Sequence, residues 1–336
     1  MARDGRKRMK ISVAMATCNG ERFLIEQLDS IAAQTLVPDE IVIADDSSDD
    51  GTIAVVEDWA RSAPLPVRLY RNAERLGYSQ NFAKALALAT GSYVFISDQD
   101  DVWFPEKVRT MVERMEQPDR PLLVVCDQLF ANADAVPVGE SMLGRLRRRG
   151  SFGVENLVSG CATAIHTSLL SIVLPIPKES AYDSWIHRIA QSIGRRSLIE
   201  VPLQLYRRHS GAVGARSVFT AHRASSWATV MWYYLQGDSV DVCARRLRLL
   251  DVLAARLSSE TASSLFLSEK ERTTRLSHIQ KEREFLLDRL RVLVAPFPKR
   301  WIGALAIWRA GGYQYASGLR SFLKDCLVGA RGKTLT

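Results

Sequence analysis

Long apolar runs are missing from this chain. Nowhere do 18 apolar residues stand in succession, so no membrane-spanning helix is expected. The N-terminal basic residues Arg3, Arg6, Lys7, Arg8 and Lys10 precede only the short run 11–16, broken by Thr17 and Asn19. That run is too short for the core of a secretion signal. Cysteine is sparse: Cys18, Cys126, Cys161, Cys243 and Cys326 are scattered, odd in number and without metal-ligand spacing. Free thiols in a reducing compartment are the expectation. Basic motifs interleaved with aromatics, as RNA binders carry, are also lacking. The net charge of +8 therefore points to an anionic membrane surface or a phosphorylated substrate before nucleic acid.

What the chain does have is acid at the ends of short apolar runs. Residues 93–96 run into Asp98, Asp100 and Asp101, residues 41–44 into Asp45 and Asp46, and residues 11–16 into Thr17, Cys18, Asn19 and Gly20. Apolar runs of this length with polar bounds read as buried strands. Helical patterns lie between them: one from near Glu21 carrying Phe23, Leu24, Leu28 and Ile31, and one over 52–61, with Ser47, Ser48 and Asp49 as turn and cap residues. Such alternation predicts a mainly parallel, doubly wound α/β sheet, whose ligand crevice lies beyond the carboxyl ends of the strands. Three acids within four residues repel one another unless a cation or a hydrogen-bonding partner lies among them. Oxygen ligands alone suit Mg²⁺ or Mn²⁺.

Further along, the pattern predicts a strand over 67–70, a helix over 79–89 stopped by Gly91, a helix begun by Pro105, and a strand over 122–126. Residues 127–150 read as loop with a basic run at Arg145, Arg147, Arg148 and Arg149, and residues 160–166 as a small-residue strand. A helix opens in 180–185. From about 217 to 294 aliphatic residues recur at helical spacing with no strand-like run. The apolar stretch 301–308, with Trp301, Trp308, Tyr313, Tyr315, Arg309, Arg320 and Lys324, suits either a membrane interface or a packing surface against the main domain or a second subunit. The division expected is 1–215 and 216–336.

The succession 16–24, 44–52 and 97–103, with Gly77-Tyr78-Ser79-Gln80-Asn81-Phe82 and Leu205-Tyr206-Arg207-Arg208-His209, resembles the family 2 glycosyltransferases, most of all their rhamnosyltransferase-like members. The resemblance covers residues 9–215. It implies the GT-A (nucleotide-diphospho-sugar transferase) fold, with a helical C-terminal region beyond it. It implies an inverting, metal-dependent transfer of a sugar, rhamnose from dTDP-rhamnose, to a glycan or lipid-linked acceptor in bacterial surface polysaccharide synthesis. By the same resemblance Thr17, Asn19, Glu21 and Asn81 line the nucleotide pocket, and Asp45 or Asp46 meets the pyrimidine base of a dTDP- or UDP-sugar. Asp98 sits by the ribose, Asp100 holds Mn²⁺ or Mg²⁺ with His209 as a further ligand, and Asp183 is the general base. Tyr182 and Ser184 depart from the residues usual around that base. The implied location is cytoplasmic, peripheral on the inner face of the membrane, as a monomer or homo-oligomer. Two rivals remain: a nucleotidyltransferase, which usually carries a Gly-rich basic phosphate loop that residues 17–22 do not supply, and a non-catalytic scaffold, which has no need of Asp98, Asp100 and Asp183 together.

Overall fold

The computed structural model describes residues 9–148, 157–209, 240–316 and 318–327. The chain forms two compact units, Met1–Ala212 and Val213–Thr336.

The first unit is built on a nine-stranded sheet. Strands β1 (Ile11–Thr17), β2 (Glu40–Asp45), β3 (Val67–Arg71) and β4 (Tyr93–Ser97) pair in parallel in the order β3-β2-β1-β4. β2 and β4 are buried at every position, because helices cover a parallel sheet on both faces. Connecting them are α1 (Leu24–Ala32), α2 (Thr52–Ser62) and α3 (Tyr78–Leu88). α1 turns Leu24, Gln27, Leu28 and Ile31 inward at helical spacing. Parallel register sets Thr17 beside Asp45 and Met15 beside Ser97, so the three polar strand ends open on one edge.

Beyond β4 the sheet becomes mixed. β8 (Thr163–His166) enters antiparallel between β4 and β6 (Leu123–Ala131). β6 pairs in parallel with β9 (Arg196–Arg207), and β9 pairs antiparallel with the two-residue β5 (Val102–Trp103). This last pairing carries the acidic segment, which lies between β4 and β5, to the C-terminal end of β9.

Two local expectations are corrected. Residues 127–148 are not loop: β6 continues to Ala131, turns back as β7 (Pro137–Ser141) and passes into α5 (Met142–Arg148). Within the basic run Arg147 pairs with Glu200 and Arg148 with Glu140, while Arg149 lies outside the described residues. α2 takes Gly51, not Ser47, Ser48 or Asp49, as its N-cap residue, since the Ser48 hydroxyl turns to Asp45 at 2.5 Å. The described cysteines are all free thiols.

In the second unit, helices Val240–Ser258 and Glu269–Val294 pack on each other, joined by Glu260–Leu265. Ser268 and Glu271 start the long helix with a reciprocal capping box. Two shorter helices follow, Lys299–Arg309 and Leu319–Leu327. Arg289 donates to Asp325 at 2.7 and 2.9 Å, with both side chains 1% exposed, and the Tyr313 hydroxyl donates to the same carboxylate at 2.9 Å. The part of the expected helical stretch between 217 and 239 lies outside the described residues. No helix among the described residues is long and apolar enough to cross a membrane.

Candidate active site

The edge formed by β1, β2 and β4 is a lattice of side chain to backbone hydrogen bonds. Asp45 is fully buried and accepts from the Thr17 hydroxyl (2.9 Å) and from the Ser48 amide (2.9 Å) and hydroxyl. Asp46 accepts from Asn72 Nδ2 (2.9 Å) and from the amides of Leu76 (2.6 Å) and Gly77 (2.9 Å), which fastens the loop before α3. Asn81 reaches back from α3, donating to the Ala44 carbonyl at 2.8 Å and accepting from Asn72 at 3.0 Å. Asn19 sits at φ 51°, its side-chain oxygen accepting from the Asp49 amide at 3.0 Å. Glu21 accepts from the Gly51 amide at 2.9 Å. Thr17, Asn19, Glu21, Asp45, Asp46 and Asn81 are thus brought together, each already holding a neighbouring loop.

Gln99, between Asp98 and Asp100, has a structural part. Its amide pairs with both polar groups of Cys18, accepting from N at 2.8 Å and donating to O at 3.0 Å. A Cβ on Gly20 would meet the Gln99 side chain at 2.3 Å, so this contact requires glycine. The β1 loop is in this way fixed to the acidic segment.

In that segment the three carboxylates have distinct surroundings. Asp100 Oδ2 lies 2.7 Å from His209 Nε2, and the His209 ring packs on Phe23 at 4.6 Å. Arg207 donates through Nε to the Asp100 carbonyl at 2.7 Å and through its amide to Asp101 at 3.2 Å. Asp101 is wholly buried, accepts from Gln204 Nε2 at 3.1 Å, and has its pKa raised to about 7 by burial and by the charge of Asp100. Burial and the charges of Asp101 and Asp100 push the Asp98 carboxyl well above the ordinary range. Ligand atoms of Asp98, Asp101 and Cys161 all lie within 4.8 Å of one another. Burial raises the Cys161 thiol well above the ordinary range. A hard divalent cation suits the carboxylates here and would relieve the mutual repulsion behind the raised carboxyls, while Asp100 and His209 form a separate pair beside this group. Asp100 and His209 could hold it together, with Asp98 adjacent.

Beneath the acids lies a cation of the protein's own. Lys107 is fully buried, donates to the Cys161 carbonyl (2.8 Å) and to Gln204 Oε1, and stands 3.8 Å from the Trp103 ring. Burial lowers its pKa, which the nearby carboxylates oppose.

Asp183 occupies the first turn of α7 (Tyr182–Ser192). Ala181 is the N-cap residue, and Asp183 Oδ1 accepts from the Ser184 amide at 2.6 Å. Tyr182 fixes the start of this helix by stacking on Phe82 at 4.0 Å, and Gly160 leaves room for its hydroxyl. Burial raises the Asp183 carboxyl. Its charge in turn adds to the raising of the Asp98 carboxyl and of the Tyr78 hydroxyl.

Residues 12–165 match the model of the family described as Glycosyl transferase family 2. The chain carries a family 2 glycosyltransferase domain. This domain is 35% identical over 103 residues to the dTDP-rhamnosyl transferase RfbG of Shigella flexneri, a match covering 30% of this chain and 36% of that one. The Abequosyltransferase RfbV of Salmonella typhimurium is 30% identical over 133 residues, 39% of each chain. The chain thus aligns with little more than a third of the length of such curated relatives. Among solved structures, S. aureus TarS 1-349 in complex with UDP-GlcNAc superposes with a TM-score of 0.56 at 18% identity, covering 95% of this chain and 90% of that one. The likeness shows the GT-A fold.

Proposed function

We propose that the domain transfers a rhamnosyl group from dTDP-rhamnose, with inversion, to a hydroxyl of a glycan or lipid-linked acceptor in surface polysaccharide synthesis. The observation that supports this reading is the approach of Asp100 and His209 to 2.7 Å beside Asp98, whose carboxyl also feels the charge of Asp183. The limited match to a named dTDP-rhamnosyl transferase supports the donor. Thr17, Asn19, Glu21 and Asn81 shape the nucleotide pocket, and Asp45 or Asp46 accepts from N3–H of thymine or uracil through its less committed oxygen. Asp98 faces the ribose. Asp100, with His209, holds Mn²⁺ or Mg²⁺, which when bound neutralises charge developing on the nucleoside diphosphate. Asp183 takes the proton of the acceptor hydroxyl as its oxygen bonds to the anomeric carbon and the carbon–phosphate-oxygen bond breaks.

The second unit supplies attachment to the inner face of the membrane. Trp301, Ile302, Leu305 and Trp308 are 48%, 69%, 41% and 41% exposed along one helix, with Lys299 and Arg309 at its ends. Exposed tryptophan and aliphatic residues beside basic ones fit an anionic lipid interface.

Release of dTDP from dTDP-rhamnose in the presence of acceptor glycan tests the reaction. Chelator or Asp100→Ala should abolish it while the fold persists. Undiminished turnover in excess chelator would overturn the metal-dependent mechanism.

A further inference from the structure

Arg207 and Arg208 are consecutive, yet their surroundings are opposite. Arg207 is saturated: it pairs with Glu26, donates to the carbonyls of Asp100 and Ala133, and lies 4.8 Å from the Phe23 ring. Arg208 is only 8% exposed and has no carboxylate partner among the described residues. Its Nη1 donates to the Tyr206 hydroxyl at 3.2 Å, and its Nε is buried with no partner at all. Its remaining company is aromatic, with the Tyr206 ring at 5.0 Å and the Phe130 ring at 6.0 Å. A second guanidinium, that of Arg145, lies 5.1 Å from the same Phe130 ring. Aromatic faces attract a guanidinium but do not neutralise it, and a buried charge without a counter-charge is costly.

The place of this cation is informative. Side chains alternate across an extended segment, so Arg207 reaches Asp100 from one side while Tyr206 and Arg208 share the other. Tyr206 lies within range of the charges of Asp98 and Asp101, which with burial keep its hydroxyl protonated. Since the Tyr206 oxygen accepts from Arg208, its own proton is left to donate. A guanidinium edge and a hydroxyl donor therefore stand together, next in the chain to Arg207, which holds the Asp100 carbonyl. A carboxylate would place both of its oxygens on one guanidinium edge, whereas a tetrahedral phosphate can engage that edge and the hydroxyl through different oxygens.

We propose that Arg208, with the Tyr206 hydroxyl, forms a phosphate-binding site beside the catalytic carboxylates. The phosphate comes either from the donor nucleoside diphosphate or from a diphosphate-linked acceptor. The proposal rests on the glycosyl-transfer reading above.

Titration calorimetry in Mn²⁺ with two probes, dTDP and farnesyl diphosphate, compares the wild type with Arg208→Met and Arg208→Lys. Removing a charge-assisted hydrogen bond should weaken at least one probe by about tenfold or more, with Arg208→Lys intermediate. Weakening of dTDP alone assigns the site to the donor, and weakening of farnesyl diphosphate alone to the acceptor. The thermal midpoint of Arg208→Met should hold or rise, because an uncompensated buried charge is removed; a purely structural role requires it to fall. Two results overturn the proposal: both probes bind Arg208→Met as they bind the wild type, or neither binds the wild type. A wild type that binds farnesyl diphosphate through Arg208 but no nucleotide would instead overturn the sugar-nucleotide reading and leave this site standing.

Discussion

Asp183→Asn separates chemistry from fold. Asparagine keeps the side-chain oxygen that accepts from the Ser184 amide at 2.6 Å, and Ala181, not Asp183, is the N-cap residue, so the start of α7 is preserved. What is lost is a proton acceptor. Removal of a general base costs about 10²–10⁴ in rate, equivalent to about 3–5.5 kcal/mol of barrier at 1.36 kcal/mol per decade. Stability should move the other way. Burial holds the Asp183 carboxyl above its ordinary value, so the folded state binds this proton more tightly than the unfolded chain does. Above the unfolded pKa, near 4, the ionised side chain therefore opposes folding, and at pH 7 the neutral amide should leave the melting temperature unchanged or higher. The same raised pKa sets the wild-type pH profile: kcat is full above it and falls as pH drops through it, above the range of an ordinary exposed aspartate. In Asp183→Asn that acid limb should vanish. Single-turnover transfer measured across pH, together with a melting curve, checks all three points. Near wild-type turnover in Asp183→Asn, or a retained acid limb, would place the base elsewhere, with Asp101 the next carboxylate to test.

Two further outcomes follow from the second unit. Asp325→Asn removes the buried carboxylate charge that Arg289 meets at 2.7 and 2.9 Å, and breaking such a pair costs about 3–5 kcal/mol; urea unfolding should show the loss, and an unchanged midpoint would mean that the charge of Asp325 does not stabilise the fold. Ile302→Glu with Trp301→Glu should release the protein from anionic vesicles by about tenfold or more, since each large apolar side chain fully buried is worth about 1.5–3 kcal/mol, without shifting the melting temperature. Equal pelleting of the double variant would assign the face to a second copy of the chain.

The strand ends were legible in the sequence because two signals coincide there: a β-branched apolar run, and acids that stop it. Three such stops predict a parallel sheet with Thr17, Asp45 and Asp98 at its strand ends, and β1, β2 and β4 pair in parallel there. The mixed half was harder to read. β6 continues through Asp127 and Gln128, which look like turn residues but are buried against β9, and nothing local shows that Leu129 will face Leu205. Lys107 likewise looks like an exposed helix-starting lysine. Its burial depends on Gln204, 97 residues away, and on the Cys161 carbonyl, 54 residues away. Gln99 could have been suspected, since a residue between two site aspartates lies close to the facing loop, but its pairing with Cys18 needs the register of β1 against β4. Asp183 was found through resemblance alone, and Arg208 stood in the sequence as one charge among several.

A pyrimidine nucleoside diphosphate held by Asp100 and its cation is the centre of the proposed reaction. Titration of the wild type with dTDP, UDP and GDP, each with and without Mn²⁺, tests this most directly. It should show dTDP or UDP binding that depends on Mn²⁺ and disappears in Asp100→Ala, with a gain in stability of about 2.7 kcal/mol at a hundredfold excess over Kd. Preferential binding of GDP, or nucleotide binding indifferent to both the metal and Asp100, would contradict it.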